Sequence, residues 1–146
     1  MSTEPVLVFG YGNPSRGDDA LGPAFVDAIE ALGLSGVECL TDFQLQVEHA
    51  LDLKERAKVV FVDASSSLAE SFKVSEVSAA RDNTFTTHAI SPAAVLQAYR
   101  QIEGGEPPPT FLLAIRGESF ELGEAMSASA KTALSEALEW FQTSLR

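Results

Sequence analysis

Short apolar runs alternate with stripes of apolar residues at helical spacing from one end of the chain to the other. Residues 5–10 (PVLVFG) form an apolar run closed by a glycine, and the polar stretch YGNPSRGDD leads from it to Leu21, Phe25, Ile29 and Leu32, with Gly33 as a stop. That pattern predicts a strand, a loop and a helix. Val37 to Thr41 predicts a second strand, and Leu45, Ala50, Leu51 and Leu53 a short helix. Lys58 to Val62 (KVVFV) predicts a buried strand ending at Asp63. The alternation of strand and helix implies a parallel sheet with covering helices.

Past Asp63 the pattern changes. Eight residues (ASSSLAES) lead to SFKVSEVS, where Phe72, Val74 and Val77 fit a strand, and so short a connection cannot make a parallel crossover. An antiparallel edge strand is expected. Ala79 to Ile90 is a long polar segment carrying His88, of a length more typical of functional loops than of plain connections. Ser91 and Pro92 read as an N-cap and first helical residue for a helix through Val95, Leu96 and Tyr99 that stops at Gly104 and Gly105. After the stiff stretch Pro107 to Pro109, Thr110 to Ile115 reads as another buried strand and RGESFELGEAMS as a second long loop. The terminal helix sets Ala130, Leu134, Leu138, Phe141 and Leu145 on one stripe. The expected fold is α/β: a single domain over residues 1–146, a three-layer α/β/α sandwich on a mostly parallel twisted sheet with one antiparallel strand.

Composition narrows the function. With 21 acidic against 10 basic residues the formal charge is -11, the wrong sign for a nucleic-acid or anionic-membrane partner. A hydrophobic content of 45% supports a proper core. No run approaches the length of a membrane span, and MSTEPVLVFG lacks the basic start and cleavage region of a signal peptide, so a cytoplasmic location is expected. The single cysteine, Cys39, forms no internal disulfide and no multi-cysteine metal site, and its place in a strand reads as core. Any metal must use oxygen and nitrogen ligands.

Gly10-Tyr11-Gly12 between a strand and a helix first suggests a nucleotide loop. The third glycine of that pattern is Ser15 here, however, and Asp18 and Asp19 would repel a phosphate. Asp18 and Asp19 could simply serve the N-terminus of the following helix, Asp63 could organise a turn, and His88 could be an ordinary loop residue. Together they carry more weight, because the carboxyl ends of parallel strands gather along one sheet edge where open α/β proteins bind ligands. Asp19 and Asp63 follow two such ends, and His88 could reach the same crevice. Two carboxylates and an imidazole suit a borderline divalent metal such as nickel, zinc or manganese, with positions left open. His49, beside Glu48 in a surface helix, reads as exposed and stands second to His88 as a ligand. Ser65 to Ser67 lack a nucleophile elbow and read as a polar turn, and Trp140 and Phe141 as packing residues.

The opening VLVFGYGNPSRGDDALGPAFVDAI resembles the N-terminal signature of nickel-iron hydrogenase maturation proteases, most specifically in Gly10-x-Gly12-Asn13 and Asp18-Asp19-x-x-Gly22. VVFVDAS, TTHAISPAAVL and RGESFELGEAMS resemble the later family segments in order. The resemblance implies an endopeptidase that removes the C-terminal extension of a hydrogenase large subunit after nickel insertion. The family's metal-contacting, catalytic positions fall on Asp19, Asp63 and His88. Nickel would be recognised in the substrate rather than permanently bound, other divalent metals could occupy the site, and the partner would be the large-subunit precursor, met by a monomer. Two departures stand out: Thr41-Asp42-Phe43-Gln44-Leu45 where many relatives have a glycine pair, and Ala93 where some place their histidine. A noncatalytic metal-dependent chaperone for hydrogenase assembly, or a nucleotide-binding regulator, are the readings from other classes.

Overall fold

A computed structural model describes residues 3–81 and 90–144. Five strands, β1 (Val6–Tyr11), β2 (Val37–Asp42), β3 (Lys58–Ser65), β4 (Phe72–Glu76) and β5 (Thr110–Arg116), form one sheet in the order β2-β1-β3-β5-β4. All neighbours are parallel except β4, which runs antiparallel to β5 at the edge, as the short connection after β3 requires.

Side chains alternate across the sheet, so each buried strand feeds two cores. On one face Val8, Val60, Val62 and Leu113 pack with Phe25 of α1 (Leu21–Ala31) and Phe141 of α3 (Ala128–Ser144). On the other, Leu7, Phe9, Val59 and Phe61 meet Val95 and Leu96 of α2 (Pro92–Glu103) and Leu53 of a 3-10 helix, Val47–Leu53. The result is the expected three-layer sandwich. Among the described residues no helix is long and apolar enough to cross a membrane. The Ser91 hydroxyl caps α2 by accepting from the Ala94 amide at 3.1 Å, and Gly104 closes the helix at φ 76°.

Four boundaries or faces differ from expectation. The apolar run of β3 ends at Val62, but pairing continues through Asp63↔Ala114, Ala64↔Ile115 and Ser65↔Arg116, so Asp63 lies inside a strand rather than just past one. The short helix predicted around Leu45 to Leu53 is of the 3-10 type. The terminal helix buries Ala130, Ala133, Ala137 and Phe141, while Leu134 and Leu138 are only partly covered. Small residues let α3 lie close to the sheet and α1, with Phe141 edge-on to Phe25 at 5.6 Å, and Leu145 lies outside the described residues. Cys39 is half-buried because β2 is an edge strand. Burial, helped by Glu30 and Glu38, pushes its thiol up to about 11, which keeps it an unreactive thiol near neutral pH.

The first turn of α1 sits directly on the ends of β1 and β3. A Cβ on Gly22 would lie 2.6 Å from the Tyr11 carbonyl oxygen and 2.7 Å from that of Val62, so only glycine permits the approach. The glycines at the head of the chain therefore serve close helix packing.

Candidate functional site

The strand order places a topological switch point between β1 and β3, from which the chain departs towards β2 on one side and returns on the other. Ligand crevices of open α/β sheets form at the carboxyl ends of the strands there. Asp19 and Asp63 are both at this point. Asp19 lies in a 3-10 turn, Gly17–Ala20, that leads into α1, and its Oδ2 accepts the Asn13 amide at 2.7 Å. Gly12, at φ 145°, lets the loop pass under it, since a Cβ there would meet the Asp19 carbonyl oxygen at 2.1 Å.

Asp63 occupies the last part of β3, where its Oδ1 accepts the Ala64 amide at 2.8 Å, and Tyr11 ends the neighbouring strand β1. Burial pushes its carboxyl up to about 6; the Ala64 amide bond and the nearby Tyr11 hydroxyl oppose the rise, and the charge of Asp19 adds to it. Two acidic groups thus share one crevice and repel each other across it. A divalent cation is the natural relief for such a pair, and carboxylate oxygens are suitable ligands for one.

His88 lies outside the described residues, so two of the three expected ligands are on view, and among the described residues no group of three potential ligands converges. His49 departs from the exposed pairing expected of it. Its side chain is only 11% exposed and stands edge-on to Phe9 at 4.7 Å. Nδ1 accepts the Gln46 amide at 2.8 Å, which leaves the proton on Nε2 to be donated to Asp42 Oδ2 at 3.1 Å. With both nitrogens engaged, His49 has no lone pair to offer a metal and does not replace His88.

The neighbouring acids Asp18 and Asp19 part company. Asp18 is fully buried and turns away from the crevice to gather the loop before α3: Oδ2 accepts the amides of Glu118 (2.7 Å) and Ser119 (3.2 Å) and the Ser127 hydroxyl (2.7 Å), and Oδ1 the Ser127 amide (2.7 Å). Burial alone would raise its carboxyl, but these bonds outweigh it and hold the group below the ordinary aspartate value. Neither acid caps α1, whose first turn has no side-chain cap.

Beside the carboxylates, Gly12, Pro14, Pro23, Thr41, Asp42 and Phe43 line a cleft of ≈ 300 Å³. Phe43 is 66% exposed there, and Asp42 is fixed by His49 on one oxygen and by the Phe43 amide on the other at 2.7 Å. Sequence reasoning passed over Asp42 and Tyr11 as site residues. The only signal available was that both stand at the carboxyl ends of neighbouring strands.

The five-stranded sheet in the order β2-β1-β3-β5-β4, parallel except for the edge strand β4 and flanked by helices, matches the fold of hydrogenase maturation proteases, the name that several of the solved structures similar to this chain carry. The maturating endopeptidase HybD from E. coli is 26% identical, with 100% of this chain and 93% of that one covered at a TM-score of 0.74. A solution structure of an endopeptidase from Escherichia coli is 25% identical, covering 100% and 93% at 0.75. The [NiFe] hydrogenase maturation protease HycI from Thermococcus kodakarensis KOD1 is 22% identical, covering 94% and 90% at 0.75. No family model and no curated protein matches the chain in sequence.

Proposed function

We propose that this protein is an endopeptidase that removes the C-terminal extension of a nickel-iron hydrogenase large-subunit precursor once nickel is in place, acting as a cytoplasmic monomer. The observation that carries the proposal is the convergence of Asp19 and Asp63, mutually repelling, at the switch point of this fold. Asp19, Asp63 and His88 recognise nickel already held by the precursor, whose thiolates supply the remaining ligands. Three ligands with open positions bind a free ion weakly, so the metal belongs to the substrate. Docked there, the metal polarises the scissile carbonyl or a water beside it. Water adds to the carbonyl carbon, the C–N bond breaks and the proton passes to the leaving amine. A carboxyl held near 6 by burial is suited to take the proton from water at neutral pH, and Asp63 answers that description.

The test is to incubate the protein with nickel-free and nickel-loaded precursor and read loss of the tail by mass. Cutting of the loaded precursor alone is expected, and it should be lost in Asp19→Asn, Asp63→Asn and His88→Ala. Efficient cutting of nickel-free precursor with all metal chelated would overturn metal recognition. Full cleavage by all three variants would remove the site from the mechanism.

A further inference from the structure

The sheet has two free edges, and one of them leads to the acidic pair. The β1–β2 ladder is closed at one end by the Val6 amide on the Gly36 carbonyl at 3.0 Å and at the other by the Gly12 amide on the Asp42 carbonyl at 3.0 Å. In a parallel ladder every second residue of a strand faces a given neighbour, so between those ends Glu38 and Leu40 turn their backbone groups to β1. Val37, Cys39 and Thr41 turn theirs outward. Among the described residues nothing hydrogen-bonds to the N–H and C=O groups of those three.

Edge strands are ordinarily blunted by lysine, proline or a bulge. β2 (VECLTD) has neither residue, and its register with β1 runs unbroken from Val37 to Asp42. Its two acids are both tied down, Glu38 by Arg56 at 2.8 Å and Asp42 by His49 at 3.1 Å. The opposite edge, β4, carries Lys73, and β5 and β3 separate it from β1. The open edge of β2, by contrast, is continuous with the site. Thr41, the last of its outward-facing residues, lines the cleft shared with Gly12, Pro14 and Phe43, and the Asp19 backbone lies directly against Gly12. A chain laid along β2 for about five residues therefore runs off its end into that cleft, beside Asp19. An endopeptidase must hold the segment around its scissile bond extended, and pairing with a sheet edge does so through main-chain groups alone.

We infer that the free edge of β2 is the docking strand for the precursor's C-terminal extension, which pairs with Val37, Cys39 and Thr41 and passes through the cleft to the acids; the inference rests on the function proposed above.

Two measurements on the full chain test it. The first is amide exchange read residue by residue in NMR spectra, with and without a millimolar synthetic peptide spanning the cleaved bond and the extension. Exchange at Val37, Cys39 and Thr41 should slow about ten-fold or more, while the outward-facing amides of β4, at Phe72, Val74 and Glu76, should not change. The second is steady-state cutting of nickel-loaded precursor by Cys39→Pro, which deletes an outward N–H and leaves the bonds to β1 in place. KM should rise about ten-fold with kcat within about two-fold, whereas Glu76→Pro on the other edge should keep both within about two-fold. No slowing at the β2 amides, slowing at β4 instead, or an unchanged KM in Cys39→Pro would overturn the inference. So would slowing of the same amides by raised protein concentration alone with a doubled mass in sedimentation, since the edge would then belong to a second copy. Should Cys39→Pro fail to fold, the exchange result decides alone. If the natural protein cuts no precursor yet the peptide slows the β2 amides, the protease reading fails and the inference stands. Cutting without slowing ends the inference and leaves the protease reading intact.

Discussion

Replacing Asp63 by asparagine should make the protein more stable while ending its activity. Burial and the charge of Asp19 raise the Asp63 carboxyl from 3.8 to about 6 despite the Ala64 amide bond and the nearby Tyr11 hydroxyl. A shift of about two units is worth roughly 3 kcal/mol at about 1.4 kcal/mol per unit, and it sets the penalty for keeping Asp63 ionised well above pH 6. The folded state holds this proton more tightly than the unfolded chain does. The stability it confers is therefore fully present below pH 3.8 and is lost as pH rises through about 6. Asparagine carries no charge, and its single oxygen can still accept the Ala64 amide. Allowing for imperfect replacement, Asp63→Asn should gain about 1–2 kcal/mol at pH 8, or roughly 3–6 °C in melting temperature for a chain of this size. Thermal melts of the two proteins at half-unit steps between pH 4 and 8 make the comparison. The difference should be largest at pH 8 and shrink towards pH 4. A variant that melts lower at pH 8, or a difference that does not vary with pH, would refute the electrostatic account of the site.

The opposite behaviour is expected next door. Asp18→Asn sets an amide against some of the four donors that now meet its oxygens, and should destabilise by about 2–4 kcal/mol in urea or thermal melts; a loss under about 0.5 kcal/mol would show that the loop does not depend on that carboxylate. Because its carboxyl is held below the ordinary value, the stability Asp18 contributes is present above pH 3.8 and disappears as pH falls through its folded value, a window below that of Asp63. Gly22→Ala drives a methyl against the carbonyls of Tyr11 and Val62, so α1 must shift; a loss of about 3 kcal/mol or more is expected, with precursor cutting falling alongside it, and an unchanged melting curve would contradict the close packing described.

Much of the architecture was legible because apolar runs of strand length lie between helical stripes, and because the connection from β3 to β4 is too short to cross over. The end of β3 was not, since pairing of Asp63, Ala64 and Ser65 with β5 leaves no trace in hydropathy. Nor was the buried face of α3, where alanines meet the sheet and leucines lean outward. At the site, the order of elements was enough to bring Asp19 and Asp63 to one edge. It gave no sign of the separate buried role of Asp18, because a one-residue step along a turn decides which carboxylate enters the crevice and which enters the core. His49 was misjudged for a related reason: Glu48 is its neighbour in sequence, whereas its partners Asp42, Gln46 and Phe9 are supplied by the turn and the sheet.

The grip of Asp18 on Glu118, Ser119 and Ser127 spans 100 to 109 residues of sequence. Synthesis runs from the N-terminus, so when Asp19 and Asp63 have both emerged the partners that fix the turn bearing Asp19 do not yet exist. The acidic pair can be set only after the loop before α3 has been made and has closed under Gly17, through contacts of high sequence separation that are the slowest kind to form. Closure of the acidic pair is therefore expected late in folding, and a nascent or truncated chain lacking residues 117–127 should carry Asp19 and Asp63 and still fail in the cutting proposed for them.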